Sequence, residues 1–156
     1  MSGVDLALSD GVRVVETETE QIVWSITSRD ATYSTEAKVL NMKHVEAIFY
    51  MDKKPAYKVV GEDGQYNEKT RLLDLKGNIA VTSLDDGYVL RTDALEYSFR
   101  TKIAATESPI EIEGEGAWLS GVGMEASVEE KTVKIKKDVK VKMLPNVLRQ
   151  KQEKPE

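Results

Sequence analysis

The chain offers few side chains with which to build a catalytic or metal-binding site. His44 is the only histidine, so a catalytic triad, a histidine-rich metal site and a histidine general base would all depend on this residue. It lies between Lys43 and Val45 in a predicted strand, where a solvent-facing position accounts for it without a chemical role. We therefore predict that His44 is an exposed strand residue.

Asp85 and Asp86 could be read as paired carboxylates for acid–base or metal chemistry. Adjacent residues of a strand point in different directions, however, and the Asp-Asp-Gly sequence that ends at Gly87 is typical of a turn. The chain also lacks cysteine, glycine-rich phosphate loops, nucleophile elbows and EF-hand loops. The sequence therefore supports neither an enzyme nor a metal site nor a cofactor.

Length and charge limit the classes of partner. The 156 residues suffice for one domain with its own core, and 22 basic against 27 acidic residues give a net charge of −5, which argues against nucleic acid. No run of 18 apolar residues could span a membrane, and residues 1–10 have no signal-peptide pattern. We expect a flexible N-terminus over residues 1–11, one domain over 12–144 and a flexible polar tail over 145–156.

The elements that position these residues are predicted to be strands. Apolar and polar residues alternate through much of the sequence between Val12 and Met143, which is typical of strands with one buried face. Residues 36–43 have fair helix propensity but are better explained as a turn followed by a strand. Glycine and acidic or amide residues predict turns at four places: 62–64, 75–78, 85–87 and 113–116.

A strand-like unit recurs along the chain. Its anchor positions are Tyr33, Tyr66, Tyr97 and Ser127, separated by 33, 31 and 30 residues. A period of this size indicates stacked supersecondary units, here about four repeats of roughly 31 residues. The fold class is therefore all-β, and the spacing fits a meander, a sandwich, a jelly roll or a short β-solenoid.

The last two predicted strands carry lysines on one side and apolar residues on the other. The lysines are Lys131, Lys134, Lys136, Lys137, Lys140 and Lys142. They would protect an edge strand from uncontrolled pairing, and they could also lie near an anionic amphiphile or a partner's strand edge. Aromatic residues make up only 6% of the chain, so an aliphatic interior could accommodate flexible acyl chains as readily as sugar rings.

The order and spacing of these segments resemble the LptC and OstA-like periplasmic family of the lipopolysaccharide transport system. The resemblance covers roughly residues 22–143. Its carriers are Trp24-Ser25-Ile26, Ala31-Thr32-Tyr33, residues 66–75, Gly77 to Val81, Gly87 to Tyr97, Ser108 to Ile112 and Leu119 to Ala126.

The resemblance implies an open β-jelly roll in which two antiparallel sheets enclose an apolar groove. It also implies a non-enzymatic, periplasmic protein, held at the inner membrane by an N-terminal helix that this sequence lacks. Such a protein receives lipopolysaccharide from the inner-membrane ABC transporter and passes it to the bridge protein LptA. The apolar strand residues expected to bind the lipid are Val39, Ile79, Val81, Ile103, Ile110, Ile112, Val133, Ile135, Val139, Val141 and Met143.

The family also implies two docking edges. An N-terminal edge at Val12 and Val14 would contact LptF and LptG of the LptB-containing ABC transporter. A C-terminal edge formed by Val139, Val141 and Met143 would pair with LptA by strand addition, and open edges could also allow self-association. Gly114 matches a glycine of the family's strand-turn pattern and is expected to be structural.

Three alternatives remain at this point. The chain could be a structural β-domain that joins partners edge to edge without binding lipid, and its interior would then be filled. It could be a soluble bridge protein similar to LptA, since the sequence lacks the expected membrane helix. An enzyme or carbohydrate-binding β-solenoid would need a clustered site on one exposed face, and the sequence does not indicate one.

Overall fold

The fold is one antiparallel sheet in which every strand pairs with its neighbours in sequence. A computed structural model describes residues 4–7 and 12–143, and ten strands follow one another across the sheet in chain order. They are β1 (Val4–Ala7), β2 (Val12–Glu18), β3 (Gln21–Ser34), β4 (Val39–Met51), β5 (Lys54–Asn67), β6 (Leu72–Ser83), β7 (Val89–Ser98), β8 (Ile103–Gly114), β9 (Ala117–Ser127) and β10 (Thr132–Met143).

The all-β jelly roll expected from the sequence is confirmed, but a single continuous sheet replaces the expected pair of sheets. The sheet also begins earlier than residue 12, because Val4–Ala7 pairs with β2 as an additional strand. Residues 1–3, 8–11 and 144–156 lie outside the described part of the chain, and the expected tail over 145–156 is among them.

A line of irregularities crosses the middle of the sheet. The pairing register shifts near the centre of five successive ladders, from β5–β6 through to β9–β10. Such bulges bend a strand and increase its twist. Each long strand is therefore divided into two halves, and the apolar residues of both halves face one interior. We call this line the crease.

The crease explains two turn predictions that were wrong. Glycine and acidic residues predicted turns at 62–64 and 75–78, but the first segment lies inside β5 and the second inside β6, where both cross the crease. Gly77 and Asn78 have φ of 88° and 47°, so their turn chemistry serves a bend within a strand. The predicted turns at 85–87 and 113–116 fall at the β6–β7 and β8–β9 connections. Residues 35–38 form a turn before β4, as predicted.

The interior contains aliphatic residues from both halves of the strands and a cluster of aromatic rings that come from both strand ends. Ile26, Leu73, Ile79 and Ile110 are the largest side chains that are fully buried. Their burial from both halves of the strands holds the folded sheet together, since each buried aliphatic side chain contributes roughly 1.5–3 kcal/mol.

The repeat anchors occupy similar places in the sheet. Tyr33, Tyr66, Tyr97 and Ser127 lie at or near the ends of β3, β5, β7 and β9. One period therefore corresponds to two strands and their connection. The number of repeats stays a prediction.

Candidate functional site

An apolar groove of about 290 Å³ lies between the two halves of the folded sheet. Val81 and Ile112 line it from one side of the crease, while Leu73 and Ala104 line it from the other side of the same strands, β6 and β8. Most of the remaining lining is aliphatic or aromatic. The groove can therefore hold an apolar ligand segment, because its walls offer few polar partners to a charged one.

Charged residues in the groove lining come from its two flanking loops. The β6–β7 loop contributes Asp86 and Tyr88, and the β9–β10 turn contributes Lys131 together with Thr132 at the start of β10. A hydrogen bond from Ser83 is the largest cause of a lowered pKa for the Asp86 carboxyl. The lining therefore contains one charge of each sign, Asp86 from one loop and Lys131 from the other.

A second cavity of about 390 Å³ adjoins the groove. The two share Phe49, Tyr97 and Val128 in their linings, and the rings of Phe49 and Tyr97 meet edge to face with centroids 4.9 Å apart. Burial raises the pKa of the Tyr97 phenol to about 12. The aromatic pair thus forms a neutral, apolar partition between the two spaces.

The second cavity also contains a partly buried ion pair. Arg71 donates a hydrogen bond from Nη2 to Oε1 of Glu16 at 2.6 Å, next to Trp24 and Phe99. The ring centroids of Trp24 and Phe99 lie 4.4 Å apart. This end of the interior is therefore packed with aromatic rings and contains a charge pair, whereas the groove is mainly aliphatic.

The structure places three predicted lipid-binding residues in the groove lining and three beside it. Val81, Ile112 and Val133 line the groove directly. Ile79 and Ile110 face the same interior but are each 1% exposed, so they are core residues beneath the groove. Ile135 is half-buried and packs against that core.

Two of the predicted lipid-binding residues lie on the wrong face of the sheet. Val39 precedes the buried Leu40, and Ile103 precedes Ala104, which packs against the core. Because successive side chains of a strand point to opposite faces, Val39 and Ile103 point away from the groove. Sequence alternation was the only guide here, and it does not say which of two neighbouring apolar residues faces inward.

The remaining predicted residues belong to β10, which is an edge strand of the described sheet. Val141 pairs opposite Leu119, and Val139 lies two residues before it on the same strand, so both lie on the same face as the groove. They are 51% and 64% exposed, and Met143 is half-buried. The predicted C-terminal edge is therefore an edge in the structure, with apolar side chains left uncovered.

The predicted N-terminal edge is wrong. Strand β2, which contains Val12 and Val14, pairs with β1 on one side and β3 on the other, and Val14 is buried in the core. The N-terminal edge of the described sheet is Val4–Ala7 instead. Short terminal segments of this kind carry a weak strand signal, because four residues give little alternation.

Several groove residues were missed by the sequence reading. Tyr57, Leu75, Leu90 and Leu95 all line the groove. In β7 the inward residues are Leu90 and Thr92 before the crease, then Leu95 after it, which breaks simple alternation. For β7, a change of parity in the middle of the strand is the signal that would have found Leu90 and Leu95.

The side chains first considered for chemistry form no reactive cluster. His44 is exposed on β4, as predicted, with φ of 56° at the crease. No group of three potential metal ligands occurs among the described residues. Gly114 ends β8 directly against the ring of Tyr88, and a Cβ atom at this position would overlap that ring. The described residues contain no helix that could cross a membrane.

A folded sheet around an apolar groove, with polar lining residues at its flanking loops, defines a groove-forming β-jelly roll. Residues 3–143 match the LptC family, described as lipopolysaccharide-assembly, LptC-related. The chain belongs to this family, and a role in lipopolysaccharide transport follows from that membership.

The fold is also similar to a solved structure. LptH of Pseudomonas aeruginosa, described as the LptA homologous periplasmic component of the conserved lipopolysaccharide transport device, aligns with a TM-score of 0.60 and 10% identity. The alignment covers 78% of this chain and 95% of LptH. A search among curated proteins finds no match.

Proposed function

We propose that this chain binds the acyl chains of lipopolysaccharide in its groove and transfers the lipid without chemical change. The observation that carries the proposal is the apolar groove between the two halves of the sheet, in a chain of the lipopolysaccharide-assembly family. Burial of acyl chains contributes about 0.8 kcal/mol per methylene, so an apolar groove can bind an acyl chain without a charged pocket.

The proposal includes a direction of transfer. Lipopolysaccharide arrives from the inner-membrane ABC transporter. The LptF and LptG subunits of the transporter dock at the N-terminal edge strand, β1. The lipid leaves to LptA, which pairs with β10. Strand addition to an open edge supplies main-chain hydrogen bonds, and the uncovered Val139 and Val141 supply apolar contact area.

The same proposal places the protein in the periplasm, anchored at the inner membrane by an N-terminal helix, as the family resemblance implies. A soluble bridge similar to LptA is the second candidate, favoured by the likeness to LptH. Both candidates need the groove. A purely structural β-domain does not, and the groove of about 290 Å³ weighs against that alternative.

Photo-crosslinking tests groove binding. A photoreactive phenylalanine analogue at Val133, which lines the groove, is expected to form adducts with lipopolysaccharide. The same analogue at Lys134, which is exposed on the opposite face of β10, provides the matched control and is expected to form none. Equal labelling at both positions, or no labelling in a folded protein, would contradict the proposal and leave edge-to-edge assembly as the remaining function.

A further inference from the structure

One end of the strands carries four similar turns. They connect β3–β4, β5–β6, β7–β8 and β9–β10, at residues 34–38, 67–71, 98–102 and 127–131. In each turn the first residue is serine or asparagine, and its side-chain oxygen accepts a hydrogen bond from a backbone amide of the same turn, at 2.9–3.2 Å. We call this row of turns the basic rim, because each turn ends in a basic residue.

The last residue of every one of these turns is basic and has a left-handed backbone. Lys38, Arg71, Lys102 and Lys131 have φ of 61°, 59°, 60° and 57°. Glycine and asparagine adopt this conformation most readily. The four basic residues therefore occupy equivalent backbone positions in successive turns of this rim.

Hydrogen bonds between neighbouring turns hold the row in place. The amides of Glu68, Phe99 and Val128 donate to the carbonyls of Lys38, Arg71 and Lys102 at 2.9, 3.0 and 3.1 Å. Adjacent strands lie about 4.8 Å apart, so the Cα atoms of these four residues recur about every 9.6 Å along the rim. The backbone therefore fixes the points from which the four basic side chains extend.

The opposite ends of the strands have the other charge. Turns there, at residues 19–20, 52–53, 84–88 and 115–116, contain five acidic residues and one basic residue, Lys53. The four basic turns contain six basic and four acidic residues. The two rims therefore differ in sign, and the groove lining includes Lys131 from one rim and Asp86 from the other.

Members of the basic rim also line the interior spaces. Lys131 lines the groove, while Arg71 and Lys102 line the second cavity. Arg71 is paired with Glu16, and Lys102 lies 3.9 Å from Glu129. Within the described residues, no ion pair involves Lys131. Lys131 can therefore contact an anion directly. Lys102 can do so if the anion replaces Glu129 as its partner.

We propose that the basic rim binds the phosphate groups of an amphiphile whose acyl chains lie in the groove. The inference rests on the proposed function and adds an orientation to it. The phosphorylated headgroup lies along the basic rim, and the acidic rim repels it. A headgroup can move between Lys102 and Lys131, which end neighbouring turns of this rim, while its chains stay in the apolar interior.

Binding of dodecyl phosphate, dodecyl maltoside and inorganic phosphate tests the inference by calorimetry. The variant is the double substitution Lys102→Asn and Lys131→Asn, since asparagine removes the charge and tolerates the left-handed backbone. Exposed charge pairs contribute 0.2–1 kcal/mol, so dodecyl phosphate should bind about 1.4- to fivefold more weakly for each lysine replaced. Dodecyl maltoside should bind unchanged, and added salt should reduce the difference between the two ligands.

Lys53→Asn is the matched control, because Lys53 also has a positive φ, 68°, but lies on the acidic rim. It should leave binding of dodecyl phosphate unchanged. If neither alkyl ligand binds the unaltered protein, the groove proposal itself fails. If both bind and the double variant behaves like the control, only the rim inference is overturned. Tight binding of inorganic phosphate alone would also overturn it, because the anion site would then be independent of the groove.

Discussion

At the scale of single residues, Glu16 and Arg71 form an ion pair whose two members differ in solvent exposure. The Glu16 side chain is 6% exposed, whereas that of Arg71 is 31% exposed. Removing Arg71 would leave a buried carboxylate without a partner, and removing Glu16 would leave a guanidinium that water can reach. Removing one member of a buried ion pair lowers the free energy of unfolding by roughly 3–5 kcal/mol. The loss is smaller when the remaining charged group is the more exposed of the two.

We therefore expect Arg71→Ala to lower the free energy of unfolding by more than Glu16→Ala. Urea unfolding of both variants measures the difference. Arg91→Ala, at an exposed ion pair with Glu113, is the control and should change stability by less than about 1 kcal/mol. Equal losses for Arg71→Ala and Glu16→Ala would mean that burial does not distinguish the two partners.

At the scale of elements, the Phe49–Tyr97 pair joins β4 to β7 and separates the groove from the second cavity. Phe49→Leu removes the ring and keeps an apolar side chain, so it should connect the two spaces. Affinity for alkyl phosphates should rise about fourfold per methylene until the chain reaches the partition, which corresponds to 0.8 kcal/mol each. The variant should extend that rise to longer chains.

A series of alkyl phosphates of increasing length measures this effect. Ile48→Ala provides the control, since Ile48 is the neighbouring half-buried residue of β4 on the other face. In this control variant, affinity should stop rising at the same alkyl chain length as in the unaltered protein. An identical limit in Phe49→Leu would show that another part of the interior ends the groove.

The elements themselves were predictable to different degrees. Alternation correctly predicted strands through much of residues 12–143, because one buried face is a local property of the sequence. The last two predicted strands are, however, one strand, β10. The bends were not predicted, since the Gly77-Asn78 pair has the chemistry of a hairpin turn and lies in the middle of β6. Whether such residues end a strand or bend it depends on the partner strands, which continue past them.

At the scale of the whole molecule, the described part of the sheet has two open edges, β1 and β10. Strand β10 pairs only with β9 among the described residues, whereas β5 is paired on both sides. Amides of β10 should therefore exchange with deuterium before those of β5 and β6, because local opening costs least at an edge. Hydrogen–deuterium exchange measured by mass spectrometry checks this order.

The concentration of protein is the control for that measurement. If β10 becomes protected only at high concentration, the edges of two copies pair with each other. Equal protection of β10 and β5 in a dilute, monomeric sample would contradict an open edge. Addition of an edge-binding partner should protect β10 without changing exchange in β5.

The sequence by itself determined the β class, the absence of cysteine chemistry and the exposed position of His44, and its resemblance to the family predicted the groove. These properties depend on composition, on residue order and on the alternation of apolar and polar residues along a strand. Resemblance also led to Val81, Ile112 and Val133 as candidates, and the structure places all three in the groove lining.

Only the tertiary structure decided which face each strand turns inward on either side of the crease. It moved Val39 and Ile103 to the outer face, added β1 as the N-terminal edge and brought the two cavities together at Phe49. The physical reason is that a bulge changes the parity of a strand through its pairing with distant residues. The alternation of apolar and polar residues is visible within one strand, whereas the pairing register depends on the neighbouring strands.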